Sequence, residues 1–460
     1  MEINRIKNDR FPVPTGGIPE KNIETAKKTT GSPDRLPEDI VSLGKGTDAK
    51  FDKIPQLKSG ADKNAGDGEK PGVSGENPTP VPMKKWTILV YSAADNDLEP
   101  FQVEDVMEME KTGGGNSLNL LVQLDRGKKP SNLSDGWSGA RRYKIERDGD
   151  PEKINSPVLE DLGQVNMSDP STLSDFIQWG IKKYPAKHYM LIISDHGKGW
   201  EGAIQDKSHS GWMELPRIED ALMDAQEKTG QKLDILGFDA CLMGESEVAY
   251  QLRDSADYMV ASEESEGAEG WPYKKFLTVN LLKSIQSTLL MKLNMKPAQL
   301  ARNIVKEARS DPKNLPTLSA VDMKKIDGVA NATKELSDAI IATDTPNSVL
   351  KEIAKSSTAF AKDGAYMSEY KDQHDFCRRI LKSDKISDKK LKKAAGEVMN
   401  SIEYAVMEET HSEKYQHARG LSIHLPSYGF RPWPHYRELD FPKDTGWDNA
   451  LLKLSKPDKK

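Results

Sequence analysis

The sequence predicts an α/β fold, a mainly parallel sheet flanked by helices, preceded by a disordered N-terminal leader. Three observations carry that expectation. Five short, strongly apolar, β-rich runs occur between residues 86 and 261. Stretches with helical spacing separate them, as in parallel strands joined by crossover helices. And ahead of Trp86 the chain has no Trp, Tyr or Cys, while that stretch holds ten of the 27 prolines and ten of the 34 glycines.

The leader, residues 1–84, cannot bury enough apolar area to offset its chain entropy. Segments such as Lys58–Lys70 read as flexible linker, with a tether or spacer as the plainest role and a pro-segment or targeting signal as the sharper one. From Trp86 to Ser92 the pattern turns to a buried strand, followed by Asp95-Asn-Asp97 as a turn and helix start. Leu118–Leu124 is the next buried strand and 140–145 a more exposed one. Asp169-Pro-Ser opens a helix whose Leu173, Phe176, Ile177 and Ile181 share a face. Tyr189–Ile193, Leu233–Phe238 and Tyr258–Ala261 are further strands, with a helix from about Leu215 to Lys228 and another from near Gly244 to Leu252. Residues 273–404 read as mainly helical. Gly420–Leu425 reads as a late strand pairing beside the earlier sheet and closing a domain of about 85–440, with 441–460 as a C-terminal tail.

Composition narrows the function. A net charge of −6 and no basic stripe with interleaved aromatics exclude nucleic acid as the expected partner. The N-terminus lacks the apolar stretch of a standard signal peptide, and no window has the length of a membrane span, so a soluble protein of open localisation is expected. Two cysteines are too few for a disulfide framework.

Two segments stand where an α/β sheet places its chemistry, just past the carboxyl ends of strands. Ser194–Gly199 follows the strand at 189–193, and Gly237–Gly244 follows the strand at 233–238. One helix lies between them, consistent with a right-handed crossover that brings His196 and Cys241 out of the same edge. A thiol and an imidazole suit acyl transfer: the thiolate attacks, and the imidazole carries the proton. Gly197 and Gly199 let backbone approach a substrate closely. The N–H groups of Gly197 and Cys241 are candidates for an oxyanion hole. A helix starting near Gly244 is expected to lower the thiol pKa. The plain alternative for Cys241 is a small core hydrophobe.

At these residues the chain resembles the clostripain-like cysteine peptidases. Trp86–Leu98 is similar to their opening strand and loop, Asp195–Gly199 to their histidine motif, and Phe238–Gly244 to their cysteine motif. Glu263–Tyr273 resembles their acidic, aromatic pocket loop and Gly420–Pro426 their late strand, so the resemblance spans about residues 86–430. It implies a caspase–hemoglobinase fold and cleavage after Arg or Lys. A cationic P1 side chain needs a partly desolvated anion, and Asp239, two residues before Cys241, is the expected P1 carboxylate; otherwise it caps the next helix. Glu264, Glu266 and Glu269 are candidates for a second carboxylate or solvated loop residues. Family members often cut themselves between His and Cys, and Lys207-Ser208 lies in a polar stretch suited to that.

The chemistry needs no cofactor, and the resemblance leaves calcium open, although no EF-hand pattern is present. Asp95 and Asp97 either reach the active-site rim or cap a helix. His374 and Cys377 lack the further ligands of a zinc site, and His188, His209 and His435 read as incidental. Two other readings stand beside the Arg/Lys-specific endopeptidase. One is a caspase- or legumain-like peptidase with another P1 preference. The other is a catalytically silent binding scaffold on the same fold.

Overall fold

In the computed structural model the described residues are 83–115, 118–278, 295–361, 369–426 and 434–458. The leader assigned to 1–84 lies, up to residue 82, outside them. In chain order the first half runs β1 (Lys84–Ala94), α1 (Glu99–Glu110), β2 (Leu118–Arg126), β3 (Gly139–Lys144), β4 (Val158–Gly163), α2 (Pro170–Lys183), β5 (Ala186–Ser194), β6 (Ala203–Asp206), β7 (Gly211–Met213), α3 (Leu215–Thr229) and β8 (Leu233–Asp239). It continues with α4 (Ser246–Gln251), β9 (Ala256–Ala261), α5 (Tyr273–Leu277), α6 (Pro297–Ala308), β10 (Thr317–Asp322), α7 (Ile326–Ala342) and α8 (Asn347–Ser356). The last elements are β11 (Ala359–Phe360), β12 (Tyr370–Asp372), α9 (Gln373–Lys382), α10 (Lys389–Ala405), β13 (Val406–His411), β14 (Ser422–His424), α11 (Asp440–Thr445) and α12 (Trp447–Ser455).

The main sheet has the order β13-β10-β9-β8-β5-β1-β2-β3-β4. Its middle strands, β9, β8, β5, β1 and β2, pair in parallel. The flanks β10, β13, β3 and β4 are antiparallel. Every residue of β1 from Trp86 to Ala94 is buried, as a strand covered on both faces requires. Alternation sorts the side chains: Leu89, Tyr91, Leu191 and Ile193 join one core with α2 and α3, while Ile88, Val90, Met190 and Ile192 join the other with α1 and α6. Asp169 caps α2 by accepting from the Ser171 N–H, 2.8 Å away.

Three expectations are corrected. The late strand, β14, does not pair beside the main sheet; it sits in a small sheet ordered β11-β12-β14 and meets the main body through a bridge between Glu245 and Ser422. The edge of the main sheet beyond β9 is taken by β10 and β13. Of these, β10 lies inside the stretch read as helical and β13 directly after it. The residues assigned to a tail are instead part of the core: α11 and α12 bury Phe441, Trp447, Leu451 and Leu454 completely. Among the described residues no helix is long and apolar enough to cross a membrane.

Candidate active site

The register of the parallel strands sets the site. Ser92 of β1 is level with Ser194 of β5, and Ser194 is level with Asp239 of β8. His196 and Cys241 each follow two residues later, on adjacent strand ends. Neighbouring strands run about 4.8 Å apart, so both residues emerge side by side, and they line one cleft of about 870 Å³.

Buried polar groups fix the histidine loop. The carboxylate of Asp195, 3% exposed, accepts from the His196 N–H at 2.6 Å, the Gln205 N–H at 2.5 Å and the Asn96 amide at 2.7 Å. Burial holds its carboxyl well above the usual range despite those donors. Gly197 packs against the cysteine loop: a Cβ there would lie 2.3 Å from the Cys241 carbonyl oxygen. Only a glycine allows that approach. Neither the Gly197 N–H nor the Cys241 N–H donates to another described residue, so both are available to an incoming oxyanion.

The loop after β8 turns sharply through Leu242, at φ 68°. The Leu242 N–H donates to the Glu264 carbonyl at 3.3 Å and the Gly244 N–H to the Ser262 carbonyl at 2.7 Å. The Cys241 Sγ receives the Glu266 N–H at 3.4 Å. Burial first, and the Glu266 charge second, push the thiol up to about 11. That overturns the expected lowering by a helix N-terminus. α4 starts only at Ser246 and is six residues long, and desolvation dominates at Cys241.

Asp97 stands at the rim. Its Oδ1 is 3.3 Å from His196 Nε2 and 2.5 Å from the Lys207 ammonium. The Lys207 hydrogen bond is the first cause holding its carboxyl at about 2. No side chain caps α1, so the rim position is the one adopted. Lys207 and Ser208 form the turn between β6 and β7, with their N–H groups donating to the Asp95 carbonyl and carboxylate at 3.0 Å each. The polar stretch around Lys207 is thus a hairpin on the cleft wall.

A second cavity, of about 150 Å³, opens beside the pair and is lined by Ser194, Asp239 and Glu266 among others. Asp239, 5% exposed, accepts from Tyr273 Oη at 2.7 Å, and burial raises its carboxyl to about 6. It does not cap α4. Both carboxylate oxygens of Glu266 are buried without a well-formed hydrogen bond, and burial and Asp239 push its carboxyl well above the usual range. Glu264 lines the larger cleft rather than this cavity; it accepts from Tyr415 Oη, from the Ala361 N–H at 2.9 Å and from the Ser265 N–H at 2.8 Å, bonds that hold the loop. Glu269 is exposed and lines neither cavity. Sequence reasoning missed Asp105, which lines the small cavity from α1. It also missed the buried Glu245, Glu247 and His424 behind the histidine loop.

For a cation, Asp95, Asp125 and Asp206 bring carboxylate oxygens within 4.8 Å of one another at the ends of β1, β2 and β6. Such hard oxygen donors fit calcium. His374 instead pairs with Glu403 at 3.0 Å, and Cys377 is buried and free, as Cys241 is free.

Comparison with known proteins gives the chain a family and a fold. Residues 90–453 match the clostripain family. Clostripain of Hathewaya histolytica is 29% identical over 435 residues, covering 80% of each chain. An inactive zymogen C11 protease from Parabacteroides distasonis superposes with a TM-score of 0.57 at 22% identity, over 79% of this chain and 99% of that one. A secreted C11 cysteine protease from Bacteroides thetaiotaomicron, solved with an irreversible peptide inhibitor, gives 0.56 at 20% identity, over 80% and 99%.

Proposed function

This chain belongs to the clostripain family of cysteine peptidases, and from that premise we propose that Cys241 and His196 cut peptide bonds after Arg or Lys. The observation that carries the reading is the level placement of the two residues over a small, carboxylate-lined cavity.

The P1 cation enters that cavity, where Asp239 supplies the anion. His196 takes the Cys241 proton as sulfur attacks the scissile carbonyl. The N–H groups of Gly197 and Cys241 receive the oxyanion. The imidazolium then protonates the leaving amine, leaving a thioester on Cys241. His196 next takes a proton from water, which attacks the thioester, and returns it to the departing sulfur. The product carboxylate and the free thiol result, and no cofactor enters the balance.

Two finer roles follow. The Lys207–Ser208 bond is the self-processing site: it is exposed, on the cleft wall, and carries the right P1 residue. Because Lys207 is tied to Asp97 and its backbone to Asp95, the turn opens before it is cut. Where the enzyme takes calcium, Asp95, Asp125 and Asp206 would hold it, and the cation would neutralise their buried acidic cluster.

The test is hydrolysis of fluorogenic peptides with P1 Arg or Lys against P1 Asp or Asn, with wild type beside Cys241→Ala, with and without calcium. Cleavage after Arg or Lys that vanishes in the variant supports the proposal. Cleavage after Asp or Asn keeps the pair and removes the Asp239 role. No cleavage under any condition favours a binding scaffold.

A further inference from the structure

The small cavity is lined by a carboxylate, Asp105, that the P1 site read from the sequence does not include. Asp105 comes from α1, 134 residues before Asp239 in the chain. α1 is pinned across the strand ends by Gln102, which accepts from Ser92 Oγ at 2.5 Å and donates to the Ser194 carbonyl at 3.2 Å. The three-residue spacing from Gln102 puts Asp105 on the same helix face, over the cavity.

Asp105 is 8% exposed, and its carboxylate opens onto the cavity with no hydrogen bond from a described residue. Asp239, by contrast, has Tyr273. Burial first, then the Asp239 charge, hold the Asp105 carboxyl well above the usual range. An unpaired acid buried beside a second acid is costly in the empty protein. That cost is released by a cation between them. Gly270 keeps the space open: a Cβ there would lie 3.0 Å from Asp239 Oδ2 and 3.1 Å from Asp105 Oδ2. The two carboxylates therefore face one common point.

We propose that Asp105 is the second P1 carboxylate, receiving one edge of a guanidinium while Asp239 receives another, so that the cavity selects Arg over Lys. This rests on the P1 reading above. A guanidinium presents five donors in a planar fork and sheds water readily, whereas an ammonium is compact and strongly hydrated. Two facing acceptors reward the first more than the second.

The experiment measures kcat/KM for peptides matched except at P1, which is Arg, Lys or citrulline, the last having the shape of Arg without its charge. Wild type favours Arg over both. Asp105→Asn lowers kcat/KM for Arg by roughly tenfold to a hundredfold, the worth of one hydrogen bond to a charged group, and brings the Arg/Lys and Arg/citrulline ratios toward one. Its melting temperature at neutral pH is no lower than that of wild type, because removing a buried unpaired acid relieves the free protein. A variant that keeps the wild-type ratios overturns the inference alone. So does one that melts lower and loses all three substrates equally, which marks a structural residue. Wild type that does not prefer Arg or Lys over citrulline overturns the P1 reading and this inference together.

Discussion

Burial holds the Cys241 sulfur as a thiol, and that has a measurable consequence. Burial and Glu266 place the Cys241 thiol at about 11, against about 8.5 for an unperturbed cysteine. At pH 7 the thiolate is then roughly one molecule in ten thousand, where a free cysteine has a few per cent. Alkylation by iodoacetamide reads this directly. Its rate at Cys241 rises about tenfold per pH unit, as the thiolate fraction does below its pKa, and shows no plateau below about pH 10. Cys377 is completely buried and stays unmodified in the native protein, and Cys241→Ala supplies the background. Glu266→Gln removes the second cause of the shift and moves the whole profile to lower pH. A plateau with its midpoint below pH 8, the signature of a preformed thiolate–imidazolium pair, refutes the reasoning. So does a Glu266→Gln profile that superimposes on wild type. The same electrostatics tie the thiol to the P1 cavity. A cation bound among Asp105, Asp239 and Glu266 offsets the charge that disfavours the thiolate, so a filled cavity favours ionisation of Cys241.

The remaining expectations are simpler. His196→Ala and Cys241→Ala each abolish peptide hydrolysis, and neither yields fragments cut at 207–208 when incubated alone, as gel electrophoresis with N-terminal sequencing checks. Lys207→Ala stays uncut at that turn on the same gel while its cleft still accepts an Arg peptide; cutting at 207–208 in this variant refutes the site. Burial raises Glu247 to about 7, with Tyr436 and the His424 N–H holding its Oε1. Its folded pKa lies above the unfolded carboxylate value of about 4.3. The stability it contributes is therefore present below that value and is lost as pH rises through about 7. Glu247→Gln consequently gains in melting temperature relative to wild type between pH 5 and 8, and a constant difference across that window contradicts the assignment. Trp447→Ala removes a fully buried ring and costs about 3–5 kcal/mol of folding stability by denaturant titration; a change within error returns α12 to the role of a tail.

What the sequence made legible follows from how locally each feature is encoded. Trp86–Ser92 and Tyr189–Ile193 are continuous apolar runs because central parallel strands are buried on both faces, so the middle of the sheet could be read directly. His196 and Cys241 were legible because backbone register alone places them: each is two residues past a strand end level with the other. Asp239 followed because it is tied to Cys241 by a single intervening residue. The flanking strands were harder. β10, Thr-Leu-Ser-Ala-Val-Asp, lies between helices, and β14 is three residues long; neither carries enough local pattern to say which edge it joins. Trp447, Leu451 and Leu454 do have helical spacing, but the lysines around them hid it.

The cavity shows where local reading stops. Beside Asp195, which holds the histidine loop, its acids come from α1, the end of β8 and the loop after β9, and no spacing rule relates them. Glu264 and Glu266 illustrate the limit. They are two residues apart in the same acidic run, yet one is consumed by Tyr415, Ala361 and Ser265 while the other lines the cavity beside Asp239. The difference lies in what each carboxylate meets, not in its type or position in the motif. Partnering is therefore the sharper criterion for function here. A buried acid whose hydrogen bonds are satisfied within the protein, such as Glu264, holds a loop. One without such bonds that faces a cavity, such as Asp105, is the candidate to meet a substrate cation.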